Sequence, residues 1–361
     1  MKKLASVLLV LVMLFSLASC GGSGGSSSAE VVSDAPPEVS SAPEETPPAA
    51  EEPPEDPKVT LTYAEVNPEA SLMGMTAKAF KDKVEELTGG SVTVNVQYGG
   101  VLGAEGDVLD TMIGGGDTVD LARISAFSLT SYGTKRSSLL SVPFTFADRE
   151  HFWKFAKSDL APQFLIEPHD IGLGVRGLFY AEEGFRHFFF RSEISGIADL
   201  AGKKIRVSTD PIMTGMVEGL KASPTVVSFN ELYTSLSSGV VDGAEQPIAN
   251  YQSNSFNEVA PYMILDAHTL GAAQVIMTDS AWDRLSAAQQ DAIVEAGKYA
   301  SDFNAGKSAE IENICIEELK AAGAIFVEVP DKQEWKDACA DVIAQSIAGQ
   351  EDDYNTILGL A

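Results

Sequence analysis

The chain has 361 residues, of which 45% are hydrophobic and 21% charged, and its formal net charge at pH 7 is −27. This composition is typical of a soluble globular protein, and so acidic a surface excludes nucleic acid and anionic membrane surfaces as natural partners. The three cysteines are too few for a disulfide framework, and the four histidines show no metal-ligand spacing. The sequence therefore predicts no metal site and no cofactor.

The first twenty residues have the pattern of an export signal. Lys2 and Lys3 precede an apolar run from Ala5 to Ala18, which is too short to span a bilayer but typical of a signal peptide. The run ends in LASC at 17–20, which is similar to the lipobox of bacterial lipoproteins. This similarity implies that 1–19 is a lipoprotein signal peptide and that Cys20 is lipidated. An ordinary signal peptide that happens to contain a cysteine is the alternative.

Residues 20–57 are predicted to be a tether without a packed core. They read GGSGGSSS and then a Pro/Glu/Ala-rich tract with no Lys or Arg. Such sequence cannot bury enough apolar surface to offset the entropy lost on ordering. We therefore expect the folded domain to begin near residue 58, anchored through Cys20 to the outer face of the cytoplasmic membrane or in the periplasm.

Strand and helix patterns alternate through the rest of the chain. Strands are predicted at 59–64, 91–100, 119–125, 171–180, 203–207 and 324–329. Helices are predicted at 70–88, 106–116 and 148–168, with a very long helix at 287–322 and further helices at the C-terminus. This alternation predicts an α/β protein with layered sheets.

No pattern in the sequence supports an enzyme. A GxGxxG match at 172–177 lies in an apolar strand pattern and does not lead into a helix, as a dinucleotide site requires. A GxSxG match at 21–25 falls in the predicted tether, where no nucleophile elbow can form. No histidine pair accompanies a serine or cysteine nucleophile. The chain is predicted not to be an enzyme.

Three segments of the central region carry a specific resemblance. They read ADLAGKKIRV at 198–207, SFNELYTSL at 228–236 and GVVDGAEQP at 239–247. Together with upstream matches at 87–109, at 141–155 and in GFRHFFF at 184–190, they closely resemble the solute-binding proteins of tripartite ATP-independent periplasmic (TRAP) transporters. The resemblance covers nearly all of 58–340.

This resemblance implies a type II periplasmic-binding-protein fold, in which two α/β lobes are joined by crossing strands and a long helix. Lobe one would comprise 58–183 and 272–311, and lobe two would comprise 184–271 and 312–361. The solute would be buried between the lobes. Cys315 and Cys339 lie in helical sequence, and either a disulfide or two buried thiols is compatible with the pattern.

The resemblance also implies four solute contacts in lobe two. Arg206, on the KIRV strand, corresponds to the arginine that clamps a carboxylate, whose two oxygens a guanidinium can bind with parallel hydrogen bonds. Arg186 corresponds to a second family arginine, and Phe229 to an aromatic residue that packs on the solute. Gln246 stands where the family commonly has Asn, which is one methylene shorter.

In lobe one the resemblance implies three further contacts. Glu105 follows the LG pair at a position that often meets solute hydroxyls. Arg123 and Ser125 lie on a strand where family members also contact solute. Each of these residues has an ordinary structural alternative, namely a surface ion pair, a core position or a helix cap.

The function implied is the capture of a small organic-acid anion, of the sugar-acid, sialic-acid or dicarboxylate class, and its delivery to TRAP membrane permease subunits. We expect a monomer held at the membrane by the lipid on Cys20. Two alternatives stay open at this point: a binding protein for an ATP-driven importer or a sensor kinase, and an exported enzyme that reuses the fold.

Overall fold

The computed structural model describes residues 56–361, which contain nine strands. The strands are β1 (Val59–Ala64), β2 (Val92–Gln97), β3 (Leu121–Ser125), β4 (Val175–Phe190), β5 (Lys204–Val207), β6 (Ser223–Val226), β7 (Gly243–Pro247), β8 (Tyr262–Thr278) and β9 (Ile325–Glu328). The predicted signal peptide, Cys20 and nearly all of the predicted tether lie outside the described residues.

Twelve α-helices cover this sheet within residues 56–361. They are α1 (Leu72–Leu87), α2 (Glu105–Ile113), α3 (Arg149–Ala156), α4 (Ala161–Asp170), α5 (Pro211–Gly219), α6 (Leu232–Ser238), α7 (Ile248–Ser253), α8 (Asp279–Trp282), α9 (Ala287–Ala321), α10 (Gln333–Ala338), α11 (Ala340–Ile347) and α12 (Glu351–Leu358). Five short 3₁₀ segments lie at 126–132, 136–141, 197–200, 229–231 and 256–258.

Two long antiparallel strands, β4 and β8, run through the whole sheet, whose order is β2-β1-β3-β8-β4-β7-β5-β6. The C-terminal part of β8 pairs with β3, and its N-terminal part pairs with β9. The second half of β4, from Arg186 to Phe190, pairs with β7. The sheet thus has two halves that share β4 and β8, as expected for crossing strands between two lobes. The lobe boundaries themselves stay a prediction.

The long helix α9 packs against both halves. Ser286 and Gln289 form a capping box at its start, which satisfies backbone N–H groups that have no partner in the helix. Ile293 and Ala300 pack with β1, β2 and α1, whereas Leu319 packs with residues of α6 and α7. The prediction of one long helix at 287–322 is therefore correct, and it completes the predicted α/β architecture.

Two predicted elements differ from the structure. The helix predicted at 148–168 is two helices, because Ser158 bonds locally to Phe155 O and Pro162, which has no N–H, stands in the first turn of α4. The strand predicted at 171–180 begins at Val175 and continues to Phe190. Its second half is buried on both faces, so its phenylalanines do not alternate with polar residues.

The terminal helices and both described cysteines belong to the core. Tyr354 and Ile357 of α12 pack with residues of α3 and α4. Cys315 and Cys339 are buried free thiols, and burial raises their pKa to about 11 and about 12 respectively.

Among the described residues, no helix combines the length and the apolar character that a bilayer-spanning segment needs.

Candidate functional site

A cavity of about 530 Å³ lies at the carboxyl ends of β1, β3, β5, β6 and β7. Ligands bind in this region of α/β sheets because loops and helix starts converge there. The cavity wall includes every one of the seven residues predicted from the sequence, namely Glu105, Arg123, Ser125, Arg186, Arg206, Phe229 and Gln246. The tertiary structure therefore brings the predicted site residues together. Their contacts with a solute stay a prediction.

Arg206 is a buried cation without a counter-ion among the described residues. It lies near the end of β5 and is 3% exposed. Its Nε donates to the Val227 carbonyl over 2.8 Å, which fixes the plane of the guanidinium. Burial lowers the pKa of Arg206 to about 10, and this leaves it positively charged at neutral pH. Its two terminal nitrogens make no hydrogen bond or ion pair with any residue from 56 to 361.

Arg186 is already paired. Its Nε donates to Glu245 Oε2, and one terminal nitrogen donates to Glu245 Oε1 over 2.8 Å. Glu183 lies 3.8 Å from the other terminal nitrogen, and the Phe127 ring centroid lies 5.6 Å from the guanidinium carbon. Burial alone would lower the pKa of Arg186, but the charges of Glu245 and Glu183 outweigh it, and the pKa is raised.

Glu245, the partner of Arg186, belongs to a row of buried charged groups that do not line the cavity. His268 Nε2 lies 3.6 Å from Glu245 Oε2, and its Nδ1 lies 2.5 Å from Asp266 Oδ2. Burial opposes the charge on His268, yet the two carboxylates raise its pKa to about 9. Glu245 keeps its charge as well, because Arg186 and His268 overcome its burial and hold its pKa at about 2. Glu245 therefore fixes Arg186 in place.

Arg123 is surrounded by carboxylates. Its guanidinium lies 3.0 Å from Glu65, 3.1 Å from Glu183 and 3.4 Å from Glu105, and it is 4% exposed. Burial opposes its charge, but the carboxylates together raise its pKa. Arg123 thus holds three acidic side chains, of which Glu105 and Glu183 line the cavity.

Glu105 and Ser125 face the cavity together. Glu105 is the first residue of α2, and its carboxylate accepts hydrogen bonds from the Ser125 backbone N–H over 3.1 Å and from the Ser128 hydroxyl. A carboxylate at the start of a helix is also favoured by the helix dipole. Glu105 is consequently fixed by Arg123, by the loop after β3 and by its own helix.

The remaining predicted residues line the opposite wall. Gln246 is 3% exposed and lies on β7, directly before Pro247, which caps α7. Phe229 lies in the 3₁₀ segment after β6 and packs edge-on against Phe256, with ring centroids 5.9 Å apart. Tyr233, which the sequence indicated as packing rather than solute contact, donates to Glu258 over 3.0 Å at the surface.

Several cavity residues were not found from the sequence. Asn67 donates from Nδ2 to Glu65 over 3.0 Å, and its buried Oδ1 has no hydrogen-bond partner among the described residues. Asn250 lies in the first turn of α7 and is 4% exposed. Glu183 and Ser128 also line the wall. Only Asn250 had a signal in the sequence, as a polar residue just after the strand that carries Gln246.

The model of bacterial extracellular solute-binding protein family 7 matches residues 63–350, which include every cavity residue described above. This chain belongs to that family. Family 7 is a family of transport proteins and not an enzyme family, so the chain is an extracytoplasmic solute-binding protein of a transport system.

One curated relative is a solute-binding protein of Roseobacter denitrificans. It is 30% identical over 294 residues, which are 81% of this chain and 88% of the relative. A solved TRAP periplasmic solute-binding protein from the same species, with bound L-galactonate, is 29% identical and has a TM-score of 0.77. The alignment covers 84% of this chain and 99% of that one.

A second solved structure is a TRAP periplasmic solute-binding protein from Bradyrhizobium with bound D-galacturonate. It is 27% identical, has a TM-score of 0.77, and the alignment covers 83% of this chain and 98% of that one. These similarities confirm the type II periplasmic-binding-protein fold that the sequence motifs implied. They also confirm the assignment to the TRAP type of solute-binding protein.

Proposed function

We propose that this protein captures a sugar-acid anion in the cavity and delivers it to a TRAP permease. The observation that carries the proposal is the state of Arg206, a buried guanidinium that lines the cavity, is held in place by one backbone hydrogen bond and has no counter-ion among the described residues. A buried cation without a counter-ion costs free energy. A carboxylate bound there would neutralise it with two parallel hydrogen bonds.

The rest of the wall suits hydroxyl groups. Glu105 and the Asn67 Oδ1 are hydrogen-bond acceptors, whereas Gln246 and Asn250 can both donate and accept. A six-carbon acid has enough hydroxyls to pair with several of these groups. The bound L-galactonate and D-galacturonate of the two solved relatives have this chemistry.

Delivery requires a membrane partner and a way to stay near it. The TRAP type of this family implies that the permease subunits receive the solute when the two lobes have closed on it. A monomer anchored through lipid on Cys20 would remain close to those subunits, because two acyl chains hold a protein stably at a membrane. The closed state would be favoured by the solute's higher affinity for it.

The first test measures solute binding by isothermal titration calorimetry. The panel contains D-galacturonate, L-galactonate and D-glucuronate, with neutral D-galactose as the uncharged comparison. We expect binding of at least one acid and none of the sugar, because only the acid neutralises Arg206. Arg206→Gln should weaken binding of that acid by about tenfold to a hundredfold, the equivalent of one or two charge-assisted hydrogen bonds.

The matched control is Arg191→Gln. Arg191 is exposed directly after β4 and is not part of the cavity wall, so affinity should not change. Unchanged affinity in Arg206→Gln, or preferential binding of galactose, would contradict the proposed function.

A further inference from the structure

The charges of the cavity wall are distributed unequally. Glu105, Asp107 and Asp110 all belong to α2 and all line the same side of the cavity. The start of a helix carries roughly half a positive charge, which does not offset three carboxylates. Arg206 lies on β5, on the other half of the sheet.

The other two arginines of the wall cannot balance this acidic side. Arg123 is shared among Glu65, Glu105 and Glu183, and Arg186 is bound by both oxygens of Glu245. Four carboxylates therefore already surround these two guanidinium groups. Among the described residues that line the cavity, Arg206 is the one cation left for an anionic group of a solute.

We infer that the cavity selects singly charged polyhydroxy acids against their doubly charged dicarboxylate counterparts, and that Glu105 is the main specificity-determining residue. This inference rests on the proposed function, since it assumes that Arg206 binds the first carboxylate. It narrows the proposed solute class from sugar acids in general to those that carry a single carboxylate.

The repulsion arises because Glu105 cannot move away. Its carboxylate is held by the Ser125 N–H, the Ser128 hydroxyl and Arg123. A hydroxyl at the far end of the solute donates a hydrogen bond to it, whereas a second carboxylate has no proton to donate and meets a like charge. In the reduced dielectric of a cavity, two like charges several ångströms apart disfavour binding by about tenfold or more.

The test compares acids that differ only at one end. Oxidation of the terminal CH₂OH of L-galactonate gives galactarate, and the same oxidation of D-gluconate gives D-glucarate, so that each pair consists of two open-chain acids. The monoanion that binds most tightly is titrated beside its dicarboxylate counterpart at pH 7 by calorimetry. We expect the dicarboxylate to have a Kd at least tenfold higher.

Two variants identify the residue responsible. Glu105→Gln keeps the shape and an oxygen that can accept from the Ser125 N–H, and the ratio of the two Kd values should fall at least fivefold. Asp110→Asn changes an exposed side chain that binds the Tyr132 hydroxyl over 2.7 Å. In the Asp110 variant the ratio of the two Kd values should fall by a smaller factor than in the Glu105 variant. The Asp110 variant also tests the inference if the Glu105 variant loses affinity for both acids. Glu258→Gln, at the surface beside Tyr233, is the matched control and should leave the ratio unchanged.

The outcomes separate this inference from the proposed function. A dicarboxylate that binds as tightly as its monoanion, in a manner that still depends on Arg206, overturns the inference and leaves the proposed function intact. A ratio that does not fall in the Glu105 variant also overturns it, and where that variant binds neither acid, a ratio that does not fall in the Asp110 variant does so. Failure of every acid to bind would remove the proposed function, and the inference would fall with it.

Discussion

Three buried arginines contribute to the cavity wall, and their surroundings give them different roles. Arg206 has one hydrogen bond, to a backbone carbonyl, and its pKa is lowered by burial. Arg186 and Arg123 are bound by carboxylates, and the pKa of each is raised despite burial. A guanidinium that is already neutralised supports the structure, whereas one that is not has binding capacity left for a solute.

This difference predicts unequal effects on stability in the absence of solute. Arg186→Gln leaves Glu245 buried without its partner, so the free energy of unfolding should fall by roughly 3–5 kcal/mol. Arg206→Gln removes an uncompensated charge and should change it by less than about 1 kcal/mol. Urea denaturation followed by circular dichroism measures both. A larger loss in the Arg206 variant than in the Arg186 variant would contradict this assignment of roles.

At the scale of a single element, the start of α5 contains an unusual acid. Asp210 caps the helix by accepting from the Ile212 N–H over 3.0 Å, and it is only 2% exposed. Burial raises the pKa of its carboxyl to about 7, although the backbone N–H groups of Ile212 and Met213 act in the opposite direction. The carboxyl therefore binds a proton more tightly in the folded protein than in the unfolded chain.

This shift predicts how stability depends on pH. Between about pH 4 and pH 7 the folded state holds more protons at this site than the unfolded state, so the site's contribution to stability falls as pH rises through that window. Asp210→Asn keeps an oxygen for the helix cap and removes the titration. The variant should be more stable than the natural protein at pH 8, by at most about 4 kcal/mol. The difference should disappear near pH 4 in thermal denaturation.

The control for this titration is Asp283→Asn, which changes an exposed aspartate outside the cavity. It should leave the pH profile unchanged. If Asp210→Asn has the same stability difference at pH 4 and pH 8, the carboxyl of Asp210 does not titrate in this window.

At the scale of the whole molecule, the two sides of the cavity are in direct contact. The Ser131 hydroxyl, in the segment after β3, donates to the Thr209 carbonyl, which follows β5, over 2.7 Å. Both residues line the cavity. In β4, which both halves of the sheet share, Gly184 has φ at +97° and lies within a register shift between Glu182 and Phe185. Release of an enclosed solute requires the two sides to separate.

Loss of this contact should speed solute release. Ser131→Ala should raise the dissociation rate constant by about twofold to tenfold, the effect expected from one neutral hydrogen bond. Stopped-flow competition with the tightest-binding acid measures it. Ser238→Ala removes a similar bond, from a hydroxyl to the Thr234 carbonyl within α6, and should leave the rate unchanged. Equal rates in the Ser131 variant and the natural protein would show that the contact does not hold the cavity closed.

The sequence by itself determined much of the local structure and the residues predicted for the site. Alternating patterns predicted β1 and β2, a long proline-free helical pattern predicted α9, and several family motifs indicated the seven predicted residues that line one cavity. These features depend on neighbours along the chain or on a pattern shared by a family. They can therefore be recognised without knowledge of distant contacts.

Only the tertiary structure decided which partner each of these site residues pairs with. Arg186 meets Glu245, and Arg123 meets Glu65, across sequence separations of 59 and 58 residues. Fifty-two acids offer far too many pairings for sequence to select these two. The side chains of Asn67 and Glu183 reach the cavity for the same reason, because the folding of the sheet brings strand ends together. The electrostatics of the cavity therefore depend on long-range pairings, which the fold fixes and the order of residues alone does not.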